Sequence, residues 1–333
     1  MRAALLTGYG SNDKVEVRAD VPTPSPEGDE LLVEVHAAGV NPIDFKTRQG
    51  LLRPLRRYPL PLVFGSELAG RVVGRGPGAR RFREGDEVFA RVDKDALGAF
   101  AEYARVREPH AAPKPANLTM AEAAAVPLAA LTAWQCLDAL AVGAGTRLLV
   151  HAGSGGVGTF ALQLARRRGA HVATTTSAKN AELVRKLGAD VVVDYRARRF
   201  DDELAGYDAV LDALGGEALL RSFKVLKPGG KIVSIAGPLE PATVRRHGFP
   251  RWLVPVFWAM SLRARRAAAA RGASYEYLFM RPDGAQLARV GELVDGGEVS
   301  VVVDRTFPLD DVRSALAYLE TGRARGKIVL TVR

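Results

Sequence analysis

Cysteine is almost absent: the 333 residues contain one, Cys136. That excludes a disulfide framework and any site built from several thiolates. Cys136 stands in an apolar Ala/Leu/Trp stretch, the setting of a small buried thiol rather than a reactive one. Long apolar runs are also missing. The longest, Trp252 to Met260, falls far short of the roughly 20 residues a membrane-spanning helix needs. The opening Met1-Arg2-Ala3-Ala4-Leu5-Leu6-Thr7-Gly8 turns polar too early for a secretory signal. A cytoplasmic protein with no integral membrane segment is therefore expected.

Acidic residues are in deficit, 37 Asp and Glu against 47 Lys and Arg, for a formal charge of +10. The arginines fall in separate clusters, Arg53–Arg57, Arg166–Arg168 and Arg263–Arg271, without interleaved aromatics or helix-turn-helix spacing. A nucleic-acid partner is thus not expected, and a positive field that attracts a polyanionic cofactor is the more economical reading. With 47% apolar and 25% charged residues, the chain has the balance of a globular protein.

Two textures divide the chain. The first 110 residues read as short strands broken by Gly and Pro, as in a compact β-barrel: Leu31–Ala37, Ser66–Gly74 and Gly85–Ala90. Thr119-Met120-Ala121-Glu122 has the form of a capping box opening an Ala-rich helix, which Pro127 kinks or restarts. From Arg147 on, apolar strands and helices alternate. Strands are expected at Arg147–Ala152, His171–Thr175, Val191–Asp194, Ala209–Asp212 and Lys231–Ile235, with helices at Val157–Arg168, Asn180–Leu187 and Glu217–Val225. Such alternation implies α/β architecture, a doubly wound parallel sheet with helices on both faces. Residues 238–273 interrupt it as a helical insertion. Tyr275–Met280 reads as the last strand, and a possible edge for homodimer pairing. The tail reads helix (Gly284–Leu293), strand (Val301–Asp304), helix (Leu309–Leu319), strand (Lys327–Val332).

The strongest motif is Gly153-Ser154-Gly155-Gly156-Val157-Gly158, placed between the apolar strand ending at Ala152 and a helical pattern. Strand, G-x-G-x-x-G and helix in that order form a dinucleotide site. The first glycine permits a tight turn, the second lets pyrophosphate approach the backbone, and the third lets helix and strand pack closely. An NAD site carries a carboxylate about 20 residues further on, for the ribose hydroxyl. Here the place reads Thr174-Thr175-Thr176-Ser177-Ala178-Lys179-Asn180. Hydroxyls and a lysine suit a 2′-phosphate, so NADP(H) is expected on Thr176, Ser177 and Lys179. Ser177 or Thr176 could equally cap the next helix. Leu214, Ala236, Phe279 and Met280 fall at carboxyl ends of strands, where an open parallel sheet presents its ligand crevice.

Taken together, Ala37-Ala38-Gly39-Val40-Asn41-Pro42-Ile43-Asp44-Phe45-Lys46, Phe64–Gly70, Gly98–Tyr103, Ala124–Pro127, His151–Gly158 and Gly326–Val329 make the chain resemble the medium-chain dehydrogenase/reductases. The similarity is to their quinone oxidoreductase and 2-alkenal (enone) reductase branch, which does not use zinc. It implies a GroES-like catalytic domain at residues 1–123, completed by 282–333, and a Rossmann NADP-binding domain at 124–281. Zinc enzymes of this superfamily carry Cys where this chain has Asn41 and His where it has Ser66, plus a four-Cys lobe that one cysteine cannot build. No metal is therefore expected. The implied reaction is hydride transfer to the C=C bond of a small apolar enone or enal, or to a quinone. An enoyl-thioester reductase, and a cofactor-binding or nucleic-acid-binding protein without turnover, are the alternatives.

By the same resemblance Asn41, Asp44 and Lys46 line the substrate side, although Asn-Pro-x-Asp is also an ordinary turn. Tyr103 is either a proton donor or a barrel-core residue. Thr132 and Lys327 are implied near the nicotinamide and Tyr195 near the adenosine ribose. Lys327 could equally be a surface lysine at a strand end. The apolar stretch 252–258 in the insertion reads as a lid, an added packing layer or an interfacial helix with basic flanks.

Overall fold

The computed structural model describes all residues, 1–333. Two compact units emerge, Met1–Leu131 with Arg281–Arg333, and Thr132–Met280. The division falls inside the helix Pro127–Ala139.

The first unit is built on mixed sheets. Seven strands form one of them, with the long strand Glu30–Val40 at its centre. That strand pairs antiparallel with Glu67–Arg75, with Tyr103–Arg107 and with Lys327–Thr331. Alternate residues Leu31, Val33 and Val35 are fully buried, the period-two pattern of a sheet that covers a core on one face. Phe64 and Phe100 meet edge to face at 5.0 Å within that core. Register matters for the site: Val40, the last residue of the central strand, lies opposite Ile328. The C-terminal strand therefore delivers Lys327 to the point where the central strand ends. Its parallel neighbour is Val303–Pro308 rather than Val301–Asp304, because the pairing to residues 327–331 carries the strand onward.

In the second unit six strands lie in the order Val191–Asp194, His171–Thr176, Arg147–Val150, Tyr207–Asp212, Leu226–Ser234, Ser274–Tyr277, and every pairing is parallel. The chain starts in the middle, winds to one edge, returns and winds to the other. Carboxyl ends of the first and fourth strands are thereby neighbours at the point where winding reverses. The last strand ends at Tyr277, so Phe279 and Met280 lie beyond it. Helix Gly156–Arg167 follows the glycine turn. The expected helix at 180–187 splits into a single turn, Ala178–Asn180, and Ala181–Lys186. The insertion is three helices, Pro241–His247, Leu253–Met260 and Leu262–Ala270. No helix of either unit is long and apolar enough to cross a membrane.

Local signals survive in place. Thr119 and Glu122 form the reciprocal capping box, and a new helix starts at Pro127, where a missing N–H costs nothing.

Candidate active site

In the first unit, Asn41 stands between the central strand and the helix Pro42–Arg48. Pro42 at the first helical position and the carboxylate of Asp44 two residues later make this a strong helix start. Asp44 accepts the Asn41 backbone N–H at 2.7 Å and the Ser66 hydroxyl at 3.2 Å. Burial pushes the Asp44 carboxyl up to about 7, against the opposing pull of the Asn41 N–H, Arg91 and Lys327.

Both polar ends of the Asn41 side chain are engaged within the unit. Its amide donates to Glu67 Oε1 at 2.7 Å and to the Gly39 carbonyl at 3.3 Å, while its oxygen accepts from Lys327 Nζ. The Lys327 ammonium also donates to Glu67 Oε1 at 2.7 Å and to the Val40 carbonyl at 3.2 Å. Three donors thus meet three acceptors, with Lys327 and Glu67 both buried. Glu67 uses its other oxygen to accept the Leu128 N–H at 2.6 Å. Nearby, the buried Arg91 donates to the Ser66 carbonyl at 2.8 Å.

This arrangement corrects two sequence-based expectations. Lys327 is buried rather than a surface lysine, and its three hydrogens all meet acceptors of the first unit. Tyr103 is not brought to Asn41. It sits opposite Glu34 on the central strand, its hydroxyl accepting from Arg333 at 3.1 Å. Glu34 precedes Asn41 by seven positions, which puts Tyr103 about 23 Å away along an extended strand. Lys46, by contrast, is half-buried on the Pro42–Arg48 helix with no carboxylate partner, and burial alone lowers its pKa. Glu67, Arg91 and Ser66 escaped notice as a group because they are far apart in sequence from Asn41 and Lys327.

In the second unit, the glycine turn follows the strand Arg147–Val150. Ala152 takes the left-handed conformation, φ 53°, instead of Gly153. Gly153 is required for a different reason: a Cβ there would lie 2.1 Å from Thr174 Oγ1 on the adjacent strand. A Cβ at Gly158 would lie 2.3 Å from the Ala152 carbonyl, so helix and turn touch backbone to backbone. Gly155 caps the helix and has only the Ala152 carbonyl, at 3.2 Å, near its missing Cβ. Its own N–H is taken by the Ala152 carbonyl at 2.9 Å, while Gly156 and Val157 in the first turn present N–H groups and the positive end of a helix dipole, the arrangement that receives phosphates.

Ser154 Oγ accepts from Thr176 Oγ1 at 2.9 Å and from Asn180 Nδ2 at 3.0 Å, which ties the glycine turn to the end of the second strand. Ser177 makes no side-chain capping bond, so the capping alternative is not what the structure adopts. Lys179 beside it is exposed and unpaired by any carboxylate. A cleft of about 360 Å³ brings together Tyr195, Arg196, Leu214 and Thr175. Tyr195 is 58% exposed and Leu214 51%, so both offer apolar surface to a ligand. Arg198, Arg199 and Arg221 of that wall are paired to Glu203 or Asp201. The Arg196 side chain has no carboxylate partner and lies 5.8 Å from the Tyr195 ring. In sequence nothing distinguishes it from the neighbouring Arg198 and Arg199.

Three buried groups hold this face in shape. Asp212 accepts the Leu214 and Gly215 N–H groups, each at 3.0 Å, and the Ser234 hydroxyl at 2.6 Å. Ser234 in turn accepts the Ala236 and Gly237 N–H groups at 3.2 and 2.7 Å. His151 contacts Thr175 Oγ1 through Nδ1 at 3.0 Å and Ser222 Oγ through Nε2 at 2.8 Å. Since Ser222 gives its own hydrogen to the Ala218 carbonyl, the pattern assigns the imidazole proton to Nε2. Burial drives the His151 pKa down to about 4, leaving it neutral. Phe279 packs in an aromatic group with Tyr277 and His247, while Thr132 is buried on its helix.

A parallel sheet of this strand order, with a glycine turn after its first strand, defines a dinucleotide-binding protein. Residues 27–116 match the alcohol dehydrogenase GroES-like domain and residues 187–330 the zinc-binding dehydrogenase family. The chain is 35% identical to 2-methylene-furan-3-one reductase of Solanum lycopersicum, and 35% identical to the chloroplastic NADPH-dependent alkenal/one oxidoreductase of Arabidopsis thaliana. Each alignment covers 99% of this chain and 79% of the relative. Among solved structures, the quinone oxidoreductase of Coxiella burnetii superposes with a TM-score of 0.87 at 30% identity, over 100% of this chain and 99% of that one. The chain belongs to the medium-chain dehydrogenase/reductase family of oxidoreductases, in its quinone and alkenal/one reductase branch.

Proposed function

We propose that the protein uses NADPH to reduce the C=C bond of an α,β-unsaturated carbonyl compound, or a quinone, without a metal ion. The observation that carries the metal-free reading is the Lys327 ammonium, seated among Asn41 Oδ1, Glu67 Oε1 and the Val40 carbonyl. Zinc favours thiolate, imidazole and carboxylate donors in a tetrahedral set. Here the donors around Asn41 are its amide, the Ser66 hydroxyl and two carboxylates, Glu67 paired with lysine and Asp44 engaged by the Asn41 N–H and the Ser66 hydroxyl, and no three His, Cys, Asp or Glu side chains converge. These residues do not fit zinc, despite the description of the family matched by residues 187–330.

The residues of the second unit do fit a phosphorylated dinucleotide. In this reading the N–H groups of Gly156 and Val157, with Gly153, Ser154 and Gly155 shaping the turn, hold the pyrophosphate. Thr176, Ser177, Lys179 and Arg196 hold the 2′-phosphate, and Tyr195 and Leu214 flank the adenosine. Ala236, Phe279, Met280 and Thr132 serve the nicotinamide end. Bound NADPH supplies the hydride. Lys46 donates a charge-assisted hydrogen bond to the substrate carbonyl oxygen, where negative charge accumulates as an enolate forms. Asn41 and Asp44 act as positioning residues that set the helix carrying Lys46. The α-carbon takes its proton from water. Without a Lewis acid, an isolated carbonyl is a poor acceptor by comparison.

The test follows nicotinamide absorbance with NADPH and with NADH against an enone, a quinone and a saturated ketone. Rapid oxidation of NADPH by the enone or quinone, with the ketone inert, is expected. Turnover of the saturated ketone that is abolished by a chelator and restored by zinc would overturn the reading.

A further inference from the structure

The charge distribution is most lopsided in the insertion. Between Glu240 and Glu276 the sequence contains no Asp or Glu, while arginine recurs throughout. Arg246 pairs with Glu276. Arg245, Arg251, Arg263, Arg265, Arg266 and Arg271 are all without a carboxylate partner and, apart from Arg265 over the Trp258 ring, project as free cations.

The apolar surface is concentrated in the same place. On helix Leu253–Met260, Leu253 and Phe257 lie one turn apart and face inward. The remaining surface is left to Trp252, Val256, Trp258 and Met260, which are 62%, 42%, 49% and 54% exposed. These four are half of the large exposed apolar side chains of the whole chain; the other four are Tyr195 and Leu214 of the cleft, and Leu51 and Val73. The next helix, Leu262–Ala270, continues with Arg263, Arg265 and Arg266 on its exposed side. The Arg265 guanidinium lies 5.7 Å from the Trp258 ring.

We infer that this face docks on a lipid surface bearing anionic headgroups. Trp and Met enter the boundary between headgroups and acyl chains, where an aromatic ring with one polar edge is stable. The flanking arginines meet the phosphates, and the segment carries no carboxylate to oppose them. The inference is independent of the proposed reaction, since it uses none of the residues assigned to cofactor or substrate.

The test is co-sedimentation of the full chain with vesicles of phosphatidylcholine alone, or with about 30% phosphatidylglycerol. Binding is expected only to the anionic vesicles, falling as salt shortens the screening length. Two of the three tryptophans, Trp252 and Trp258, lie in the patch, so binding shifts emission to shorter wavelength. Each near-surface arginine adds roughly fivefold to partitioning, so the triple variant Arg263→Gln/Arg265→Gln/Arg266→Gln is expected to bind about 100-fold more weakly. Trp252→Ser/Trp258→Ser is expected to lose at least about tenfold. Circular dichroism identifies a variant that misfolds, and the arginine variant, confined to exposed positions, carries the test if the tryptophan variant does. Failure to bind anionic vesicles, or binding unchanged in both variants, overturns the inference. So does a lipid-free dimer that Trp258→Ser dissociates, which would assign the face to a second copy of the chain.

Discussion

The polar residues around Asn41 and those around the glycine turn solve opposite problems. In the first unit every hydrogen of the Lys327 ammonium, and both ends of the Asn41 side chain, are satisfied by neighbours in the same unit. In the second unit, Ser177, Lys179 and Arg196 keep donors that no carboxylate takes up, and Arg196 lines a cleft of about 360 Å³. A filled network fixes geometry, because removing any member strands a buried charge. An unfilled one waits for a ligand with the matching charge. Under the proposed function, the contrast separates residues that position from residues that bind, although both sets are equally polar in sequence.

Breaking the filled network is expected to have the largest effect. Lys327→Met leaves Glu67 buried and unpaired, which costs about 3–5 kcal/mol of stability. Adding Glu67→Gln removes that stranded charge, so the double variant should be more stable than Lys327→Met alone. Urea denaturation measures both. A Lys327→Met variant as stable as wild type would mean the cluster holds nothing in place.

Emptying the open side should act on affinity instead. Lys179→Ala/Arg196→Ala is expected to raise KM for NADPH by about 30- to 1,000-fold, from the loss of two charge-assisted bonds. KM for NADH and the melting temperature should barely move. Equal effects on the two cofactors would remove these cations from the 2′-phosphate.

Two buried titratable groups sharpen the comparison with a smaller effect. Asp44 is raised from 3.8 to about 7, so its folded form holds a proton the unfolded chain has released. Its contribution to stability is complete below 3.8 and is lost as pH rises through about 7. His151 is lowered from 6.5 to about 4, so its contribution is present above 6.5 and lost as pH falls toward 4. Asp44→Asn removes the first slope alone. Between about pH 5 and 8, its stability relative to wild type should rise by roughly 2–3 kcal/mol as pH increases. A flat difference would exclude Asp44 as a group that titrates with folding.

Legibility followed the range of the interactions. The glycine turn, the Thr119 cap and the strand–helix alternation rest on contacts within a few residues, and each appears where the residues imply it. Even so, the turn was read for the wrong glycine: the left-handed residue is Ala152, and Gly153 is there because Thr174, 21 positions later, crowds it. The burial of Lys327 could not be read locally, because its three acceptors lie 260 to 287 residues upstream. Tyr103 belonged to a motif that carries a family resemblance, yet its strand register put it beside Glu34 and Arg333.

By itself the sequence determined the parallel sheet, the glycine turn and the lack of cysteine for a zinc site, since periodicity, glycine spacing and composition are local or additive properties. Only the tertiary structure decided which polar groups are already paired. Pairing depends on strand register and on burial, and a buried charge is stable only where distant segments bring it a partner.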